Sequence, residues 1–196
     1  MRKKIAIIIL TFNSEKTIKK TILASKQITK NVIIVDSNSN DRTILICKKM
    51  KCIILNRKFK NYSDQRNWII KKINKKYFWQ LHLDADEELD DKLIKSINKI
   101  INNKNIRKKV FLIRRKYYFL GKKLEYPGLN EWHLRLFQSS SVTCEKRLYD
   151  QHFLSKFKVN KINNGFIHDN DKLNLIQWKK KHVRWAELES KDIFYK

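Results

Sequence analysis

The chain has 196 residues, which is enough for one compact domain with a buried core and too few for two domains of ordinary size. Hydrophobic residues make up 42% of it and fall in separate short runs, which excludes wholesale disorder. The formal net charge of +26 favours polyanionic partners such as nucleic acid, anionic lipid surfaces or phosphate-bearing nucleotides. Lysine, asparagine and isoleucine are over-used together along the whole chain, so a compositional bias explains the charge equally well.

The three cysteines, Cys47, Cys52 and Cys144, form no C-x-x-C pair. This pattern favours a reducing compartment over a disulfide framework or a zinc site, and it predicts a cytoplasmic protein. The apolar run after Met1 is shorter than the core of a signal peptide. No apolar stretch approaches the roughly 18 residues that a membrane span needs.

The first half of the chain alternates between strand-like and helix-like patterns. Short apolar runs, mostly β-branched or aromatic, predict buried parallel strands at Ile5–Leu10, Val32–Val35, Cys52–Leu55 and Phe78–Leu83. Amphipathic stretches between them, each opening with a candidate N-cap, predict helices at Ser14–Ile28, Asp41–Met50 and Ser63–Ile73. This alternation predicts a parallel α/β sheet, with ligands bound beyond the carboxyl ends of its strands.

The second half has a mixed texture, and it follows a predicted helix at about Asp90–Asn102. Val110–Tyr118 and His133–Phe137 predict strands, with turns marked by Gly121, Pro127, Gly128 and Gly165. Asp171 begins a predicted long amphipathic helix, with apolar positions at Leu173, Ile176, Val183, Trp185 and Leu188. We expect a single domain over residues 1–196, with a nucleotide-binding half at about 1–104 and a second half at about 105–196.

Two carboxylates, Asp84 and Asp86, follow the fourth predicted strand. In extended backbone, residues two apart project to the same side, so these side chains can converge on one point. Two hard oxygen ligands suit Mg²⁺ or Mn²⁺, and such an ion can bridge a diphosphate. The acidic residues that follow are explained by the favourable charge at the N-terminus of the next helix: Glu87, Glu88, Asp90 and Asp91.

Polar segments also follow the first two predicted strands. Asp36 can accept hydrogen bonds from a ribose hydroxyl or a base N–H, and the asparagines after it tolerate left-handed backbone. Taken alone, this segment and Thr11-Phe12-Asn13 are explained as well by capped polar turns. No glycine precedes Gly121, which excludes a G-x-G-x-x-G loop or a P-loop from the parallel half.

Together, these residues resemble a family 2 glycosyltransferase with the GT-A fold, and within that family the small lipopolysaccharide-core β-glucosyltransferase-like enzymes. The similarity covers nearly the whole chain and rests on ordered segments at Thr11–Glu15, Val35–Thr43, Tyr62–Asn67, Leu83–Glu87 and Trp132–Phe137. The resemblance implies an α/β, Rossmann-like mixed sheet with a predominantly parallel nucleotide-binding half and helices on both faces.

The resemblance also implies the reaction. It is an inverting, Mn²⁺- or Mg²⁺-dependent transfer from a nucleotide-diphosphate sugar, UDP-linked, to an acceptor hydroxyl of a glycan or glycolipid. The setting it implies is lipopolysaccharide or cell-surface polysaccharide synthesis, in the cytoplasm or peripherally on the inner face of the membrane.

The resemblance assigns roles to single residues. Thr11, Asn13 and Asp36 would hold the uridine, while Gln65, Arg66 and Asn67 would line the donor pocket near the base and diphosphate. Asp84 and Asp86 would be the D-x-D metal motif beside the nucleotide sugar. Three residues of the second half complete the implied site: Glu145 as the catalytic carboxylate, His168 as a metal ligand and Arg135 facing the active site.

Other interpretations stay open on the residues alone. Glu145 is explained by a surface ion pair and His168 by a turn, while Trp132, Trp178 and Trp185 are expected in the core rather than as sugar platforms. A basic nucleic-acid-binding module is the competing function, suggested by the charge and by the basic and aromatic residues at Arg114–Phe119. Docking of a basic face on an anionic membrane surface is compatible with the enzyme.

Overall fold

The computed structural model describes residues 3–103, 109–125, 132–148, 151–170 and 174–194. Along the chain the elements are β1 (Lys3–Thr11), α1 (Ile18–Lys26), β2 (Val32–Asp36), α2 (Thr43–Lys49), β3 (Ile53–Asn56), α3 (Tyr62–Ile73), β4 (Tyr77–Asp84), β5 (Glu87–Leu89), α4 (Asp91–Asn102), β6 (Val110–Phe119), β7 (Lys122–Lys123), β8 (Trp132–Gln138), β9 (Val142–Cys144), β10 (Phe153–Ser155), β11 (Val159–Asn170) and α5 (Leu175–Phe194). Among these described helices, none combines the length and apolarity needed to cross a membrane.

One large sheet organises the described residues, with the strand order β3-β2-β1-β4-β8-β6-β11-β5 and β7 paired to β6. The first-half neighbours β3, β2, β1 and β4 all pair in parallel, as predicted. In the second half, β8 pairs antiparallel with both β4 and β6, while β6 and β11 are parallel. The mixed α/β sheet with a parallel first half is therefore confirmed, and β9 and β10 form a separate hairpin.

Helices cover both faces of this sheet, which is why β1 is apolar and buried from Ile5 to Leu10. Ile5, Ile7 and Ile9 join the cluster that includes residues of α1, α2 and α4, whereas Ala6 and Ile8 join the cluster that includes residues of α3. Burying one such isoleucine side chain contributes roughly 1.5–3 kcal/mol to folding. The strand is thus fixed from both sides, and its carboxyl end is a rigid platform.

All three helix starts predicted in the first half are wrong, and α2 begins at Thr43 with Arg42 rather than Asp41 at the N-cap. Helix α1 begins at Ile18 rather than Ser14, whose carbonyl accepts the Ile18 N–H at 2.9 Å. Helix α3 is capped by Asn61 rather than Ser63, because extended Asn61 accepts the Asp64 N–H on its side chain at 2.8 Å. The residues between Thr11 and α1 are therefore free to form a polar loop at the sheet edge.

Gly165 lies within β11 and not in a turn, contrary to the prediction. Its φ is +93°, and a Cβ there would stand 2.2 Å from the backbone nitrogen of Leu93. The missing side chain lets β11 cross close to the N-terminus of α4. Gly121 does lie in a turn, between β6 and β7, while Pro127 and Gly128 are outside the described residues.

The last helix differs from its prediction in which face packs. Asp171 and Leu173 lie outside the described residues, and the helix is described from Leu175. Ile176 and Val183 are 69% and 51% exposed. The half-buried stripe of α5 consists of Trp178, Lys181, His182, Trp185, Leu188 and Asp192. Within the described part of α5 no residue is buried. The prediction that Trp178 and Trp185 are core residues is therefore wrong.

Candidate active site

A cavity of about 1760 Å³ opens beyond the carboxyl ends of β1 and β4. Typical ligand pockets measure roughly 300–1,000 Å³, so this cavity has room for two substrates. Its lining includes seven residues predicted for the site, namely Thr11, Asn13, Gln65, Arg66, Asp84, Asp86 and Arg135. Residues of α5 line the same cavity.

The loops that follow β1 and β2 are held to each other by hydrogen bonds. The Asn13 N–H donates to Ser39 Oγ at 2.9 Å, and the Asn40 N–H donates back to Asn13 Oδ1 at 2.9 Å. Asn13 and Asn38 have φ values of +47° and +64°, the left-handed backbone that asparagine tolerates. The two loops therefore form one cradle without glycine, as the asparagine-rich segment predicts.

Asp36 organises this cradle from below and does not line the cavity. Its buried carboxylate accepts the Ser39 N–H at 2.9 Å and the Ser39 hydroxyl at 2.5 Å. Ser37 and Asn38 line the cavity instead, and Gln65 Nε2 donates to Ser37 Oγ at 2.7 Å. We predicted that Asp36 contacts the uridine, but in the structure its carboxylate accepts hydrogen bonds from Ser39 instead.

Two arginines form ion pairs with Asp84, the last residue of β4. Arg66 Nη2 donates to Asp84 Oδ1 at 2.6 Å, and Arg135 Nη2 donates to Asp84 Oδ2 at 3.1 Å. Burial alone would raise the pKa of Asp84, but the charges of Arg66 and Arg135 outweigh it and hold that pKa below its ordinary value. The Asp84 carboxylate is therefore ionised at neutral pH, and 32% of its side chain stays exposed.

Glu87 is the buried centre of the same charge network. Its side chain is fully buried, and its Oε1 lies 2.7 Å from Arg135 Nη2 and 3.1 Å from Arg115 Nη1. Arg115 also lies 3.6 Å from Asp169 Oδ2. The prediction that Glu87 only serves the start of the next helix is wrong, because Glu87 belongs to β5 and points into the network. Asp90 does cap α4, where its side chain accepts the Leu93 N–H at 2.8 Å.

Asp86 is the carboxylate that this network leaves without an arginine. Strand β4 ends at Asp84 and Asp86 lies in the following turn, so the two do not share the extended backbone predicted, although both line the cavity. Burial raises the pKa of Asp86 to about 8, helped by the charges of Asp169, Asp84 and Glu87 and opposed by Lys181. Among the described residues, no basic side chain forms an ion pair with Asp86.

This donor set fits a divalent cation. Among the described residues, no group of three or more His, Cys, Asp or Glu side chains is arranged to hold a metal ion. Mg²⁺, however, is commonly bound by one or two carboxylates together with substrate phosphates. Burial, and after it the charges of Asp169 and Asp84, raises the pKa of Asp86, and a cation bound there would favour its ionised form.

Two predicted residues lie on the β9–β10 hairpin side of the site. Asn67 does not line the cavity, because its amide is engaged with the backbone of Cys144, donating at 2.8 Å and accepting at 2.9 Å. Glu145 follows, and its Oε1 accepts the His152 N–H at 2.7 Å. His152, rather than Glu145, is among the described residues that line the cavity. Asn67 therefore positions the segment that carries Glu145.

His168 points away from the carboxylates at Asp84 and Asp86. Its ring stacks on Tyr118 with centroids 5.5 Å apart, and its Nε2 lies 3.6 Å from Asp90 Oδ2. Alternate residues of a strand face opposite sides, so the neighbouring Asp169 lines the cavity in its place. Of these two neighbours, Asp169 rather than the predicted His168 lies on the cavity side, where a metal ligand would have to be.

Sequence reasoning missed Glu87, Arg115 and Asp169. The available signal was the two-residue period of a strand: Arg115 lies on the same face of β6 as the buried Ile113, and Asp169 lies on the same face of β11 as the buried Ile167. Charged residues in phase with a buried face require partners, and here they supply them to one another.

Four residues that line the cavity each have one buried polar atom without a hydrogen-bond partner among the described residues: Thr11 Oγ1, Arg66 Nη1, Arg115 Nε and Arg135 Nε. These atoms are closed off from solvent, so a ligand would contact the exposed atoms of the same side chains instead.

Comparison with known proteins agrees with this geometry. The family model described as glycosyl transferase family 2 matches residues 6–163. An uncharacterized glycosyltransferase of Rickettsia bellii is 32% identical over 105 residues, which cover 54% of this chain and 35% of that protein. A Rickettsia typhi relative is 35% identical over 104 residues, with coverage of 53% and 35%. The matched region thus spans about 35% of the length of these curated relatives.

Solved structures share the fold. S. aureus TarS 1–349 superposes with a TM-score of 0.63 at 14% identity, covering 87% of this chain and 60% of TarS 1–349. The same protein in complex with UDP-GlcNAc gives a TM-score of 0.51 at 21% identity, with coverage of 67% and 39%. These neighbours have the GT-A fold, as does this chain. With a family match that extends over most of its residues, the chain belongs to glycosyl transferase family 2.

Proposed function

We propose that the chain transfers a sugar from a UDP-linked donor to a hydroxyl of a glycan or glycolipid acceptor. The observation that carries the proposal is the cavity in which the loops after β1 and β2 meet the Asp84–Asp86 turn. The TarS structure that contains UDP-GlcNAc has this fold, and family 2 membership supports the same donor class here. Lipopolysaccharide or cell-surface polysaccharide synthesis is the setting we propose.

The cradle formed by the loops after β1 and β2 supports binding of the nucleotide half of the donor. Thr11 and Arg66 line the cavity beside the loops, and the hydrogen-bonded Ser37–Gln65 pair offers polar groups at the same wall. We propose that the uridine lies between these loops. Its diphosphate would then extend towards Arg66, whose guanidinium provides charge-assisted hydrogen bonds.

Asp86 and Asp84, with Asp169 beside them, would hold a Mn²⁺ or Mg²⁺ ion. When bound, this ion supplies Lewis-acid stabilisation of the charge on the leaving nucleotide diphosphate. The chain itself contributes Arg66 and Arg135, which keep Asp84 ionised and fixed at the end of β4. This arrangement supports the proposal that the site takes both a cation and the phosphates.

The chemical step that we propose is an in-line displacement with inversion at the anomeric carbon. The acceptor oxygen forms the new bond as the bond to the diphosphate breaks, and a carboxylate takes the acceptor proton. Glu145 is our candidate for this base, because the Asn67–Cys144 and Glu145–His152 hydrogen bonds hold it beside the cavity-lining His152. General-base catalysis contributes typically about 10²–10⁴-fold to such a step.

The structure weakens the alternative of a nucleic-acid-binding module, which was suggested by the basic and aromatic residues at Arg114–Phe119. Alternate residues of Arg114–Phe119 face opposite sides of β6, and Arg115 neutralises Glu87 and Asp169 inside the site. The net charge of +26 remains suited to an anionic membrane surface, which we propose as the location of a glycolipid acceptor.

Calorimetric titration of the intact chain with UDP, with and without Mn²⁺, tests the proposal. We expect UDP binding that strengthens at least tenfold with Mn²⁺, and UDP release from at least one of a panel of UDP-sugars. Tight, salt-sensitive binding of a single-stranded RNA together with no metal-dependent binding of UDP would reverse the assignment.

A further inference from the structure

Four aromatic rings form a continuous row along one wall of the cavity. The ring centroid of Phe119, at the end of β6, lies 5.3 Å from that of Trp178 on α5. Trp178 lies 3.8 Å from His182, and His182 lies 4.9 Å from Trp185. All four line the cavity, and each is half-buried. The row is therefore accessible to a molecule inside the cavity.

The hydrophobic core does not explain this row. No described residue of α5 is buried, and the contacts from Trp178 to His182 and from His182 to Trp185 are made within the helix. Such contacts do not attach α5 to the sheet. The most apolar residues of the helix, such as Ile176, instead point outward, while the rings point to the cavity.

The row and the carboxylates border the same space. Lys181, on the same stripe of α5, lies 4.7 Å above the ring of Trp185 and also lines the cavity with Asp86. The uridine cradle is built from the loops after β1 and β2, whereas the row is built from β6 and α5. The aromatic wall is thus separate from the nucleotide loops and contributes the second part of a cavity large enough for two substrates.

We propose that Phe119, Trp178, His182 and Trp185 form the acceptor subsite, on which a pyranose ring of a carbohydrate acceptor stacks. The C–H groups of a pyranose form an apolar face that packs on an indole, and its hydroxyl groups reach polar neighbours at the rim. His182 and Lys181 supply such polar atoms along the row. This inference rests on the proposed function, since it assigns the second substrate of the same cavity.

The test uses the intact chain saturated with UDP and Mn²⁺. Methyl glycosides of glucose, galactose, mannose and N-acetylglucosamine, in both anomers, are titrated by saturation-transfer NMR. We expect at least one glycoside to bind through its ring C–H groups. Trp185→Ala should weaken that binding at least tenfold, and Trp185→Phe should restore part of it. UDP affinity should stay within twofold of wild type in both variants.

Phe194→Ala is the matched control, because Phe194 lies on the same helix and is 81% exposed. It should leave glycoside and UDP binding unchanged. Wild-type protein that binds UDP but no methyl glycoside would overturn this inference alone, as would undiminished glycoside affinity in Trp185→Ala. Wild-type protein that binds no UDP would contradict the proposed function itself.

Discussion

The carboxylate of Asp84 lies 2.6 Å from the guanidinium of Arg66, which joins the end of β4 to helix α3. A second arginine, Arg135 from β8, holds the other carboxylate oxygen at 3.1 Å. Both arginine side chains are more than nine-tenths buried, so they act in a medium that screens charge poorly. Asp84 is consequently fixed and ionised, whereas Asp86, two residues later, has no such partner among the described residues.

The buried charge network predicts a large effect for Glu87. Glu87→Gln removes the charge that faces both Arg115 and Arg135, and breaking a buried ion pair in this way costs about 3–5 kcal/mol. Urea unfolding should show this loss in the free energy of unfolding. Glu88→Gln, on the half-buried adjacent position, is the control and should change stability by less than about 0.5 kcal/mol. Equal effects of the two substitutions would refute the special role of Glu87.

Gly165 should tolerate alanine poorly. Its left-handed φ of +93° strains any side chain, and the added Cβ would meet the Leu93 backbone at 2.2 Å. Gly121→Ala isolates the strain, because Gly121 has a φ of +79° and open space around it. We expect Gly165→Ala to cost about 1–3 kcal/mol more than Gly121→Ala in thermal unfolding. If Gly165→Ala lowered the free energy of unfolding no more than Gly121→Ala does, β11 and α4 would not approach as closely as the structure shows.

His82 makes stability depend on pH. Burial, with the nearby charges of Arg66 and Arg135, holds its pKa well below 6.5. The unfolded chain therefore binds a proton below pH 6.5 that the folded chain does not. The stability linked to neutral His82 is present above pH 6.5 and is lost as the pH falls, by up to about 1.4 kcal/mol per pH unit.

Urea unfolding between pH 7.5 and 5.5, in the presence of EDTA, measures this dependence. His82→Gln should flatten the loss of stability below pH 6.5 relative to wild type. An identical pH profile in the variant would show that His82 titrates alike in the folded and unfolded chains.

Glu145→Gln tests the proposed base. Glutamine can still accept the His152 N–H through its amide oxygen, so the hairpin should remain intact. Turnover of the UDP-sugar should fall by about 10²–10⁴-fold. UDP affinity, measured by calorimetry, should stay within twofold of wild type. Full turnover would remove Glu145 from the mechanism.

The parallel half of the fold and its loops could be predicted from local pattern. Runs such as Ile5–Leu10 are apolar because both faces of the strand are buried, and polar residues begin where each strand ends. Seven of the predicted site residues accordingly line the cavity. The other four, Asp36, Asn67, Glu145 and His168, do not line it. The side chains of Asp36 and Asn67 fix the loops around the site, Glu145 accepts the His152 N–H, and His168 stacks on Tyr118.

The charge network could not be predicted, because it depends on strand pairing that spacing does not reveal. Arg115 meets Glu87 only because β11 lies between β6 and β5 in the sheet. Strand β5 has three residues, too few to show a period. On α5, an outer stripe through Ile176 and Val183 and an inner stripe through Trp178 and Trp185 are both apolar at helical spacing. Sequence alone does not say which stripe packs.

The most direct test of the proposed site is Mn²⁺-dependent UDP binding by Asp86→Asn beside Glu88→Gln. Both substitutions replace an acidic side chain with its amide, but only Asp86 lines the cavity. We predict that Asp86→Asn abolishes the tenfold or greater gain in UDP affinity that Mn²⁺ provides, while Glu88→Gln retains it. An unchanged Mn²⁺ effect in Asp86→Asn would contradict the assignment of this carboxylate to the cation.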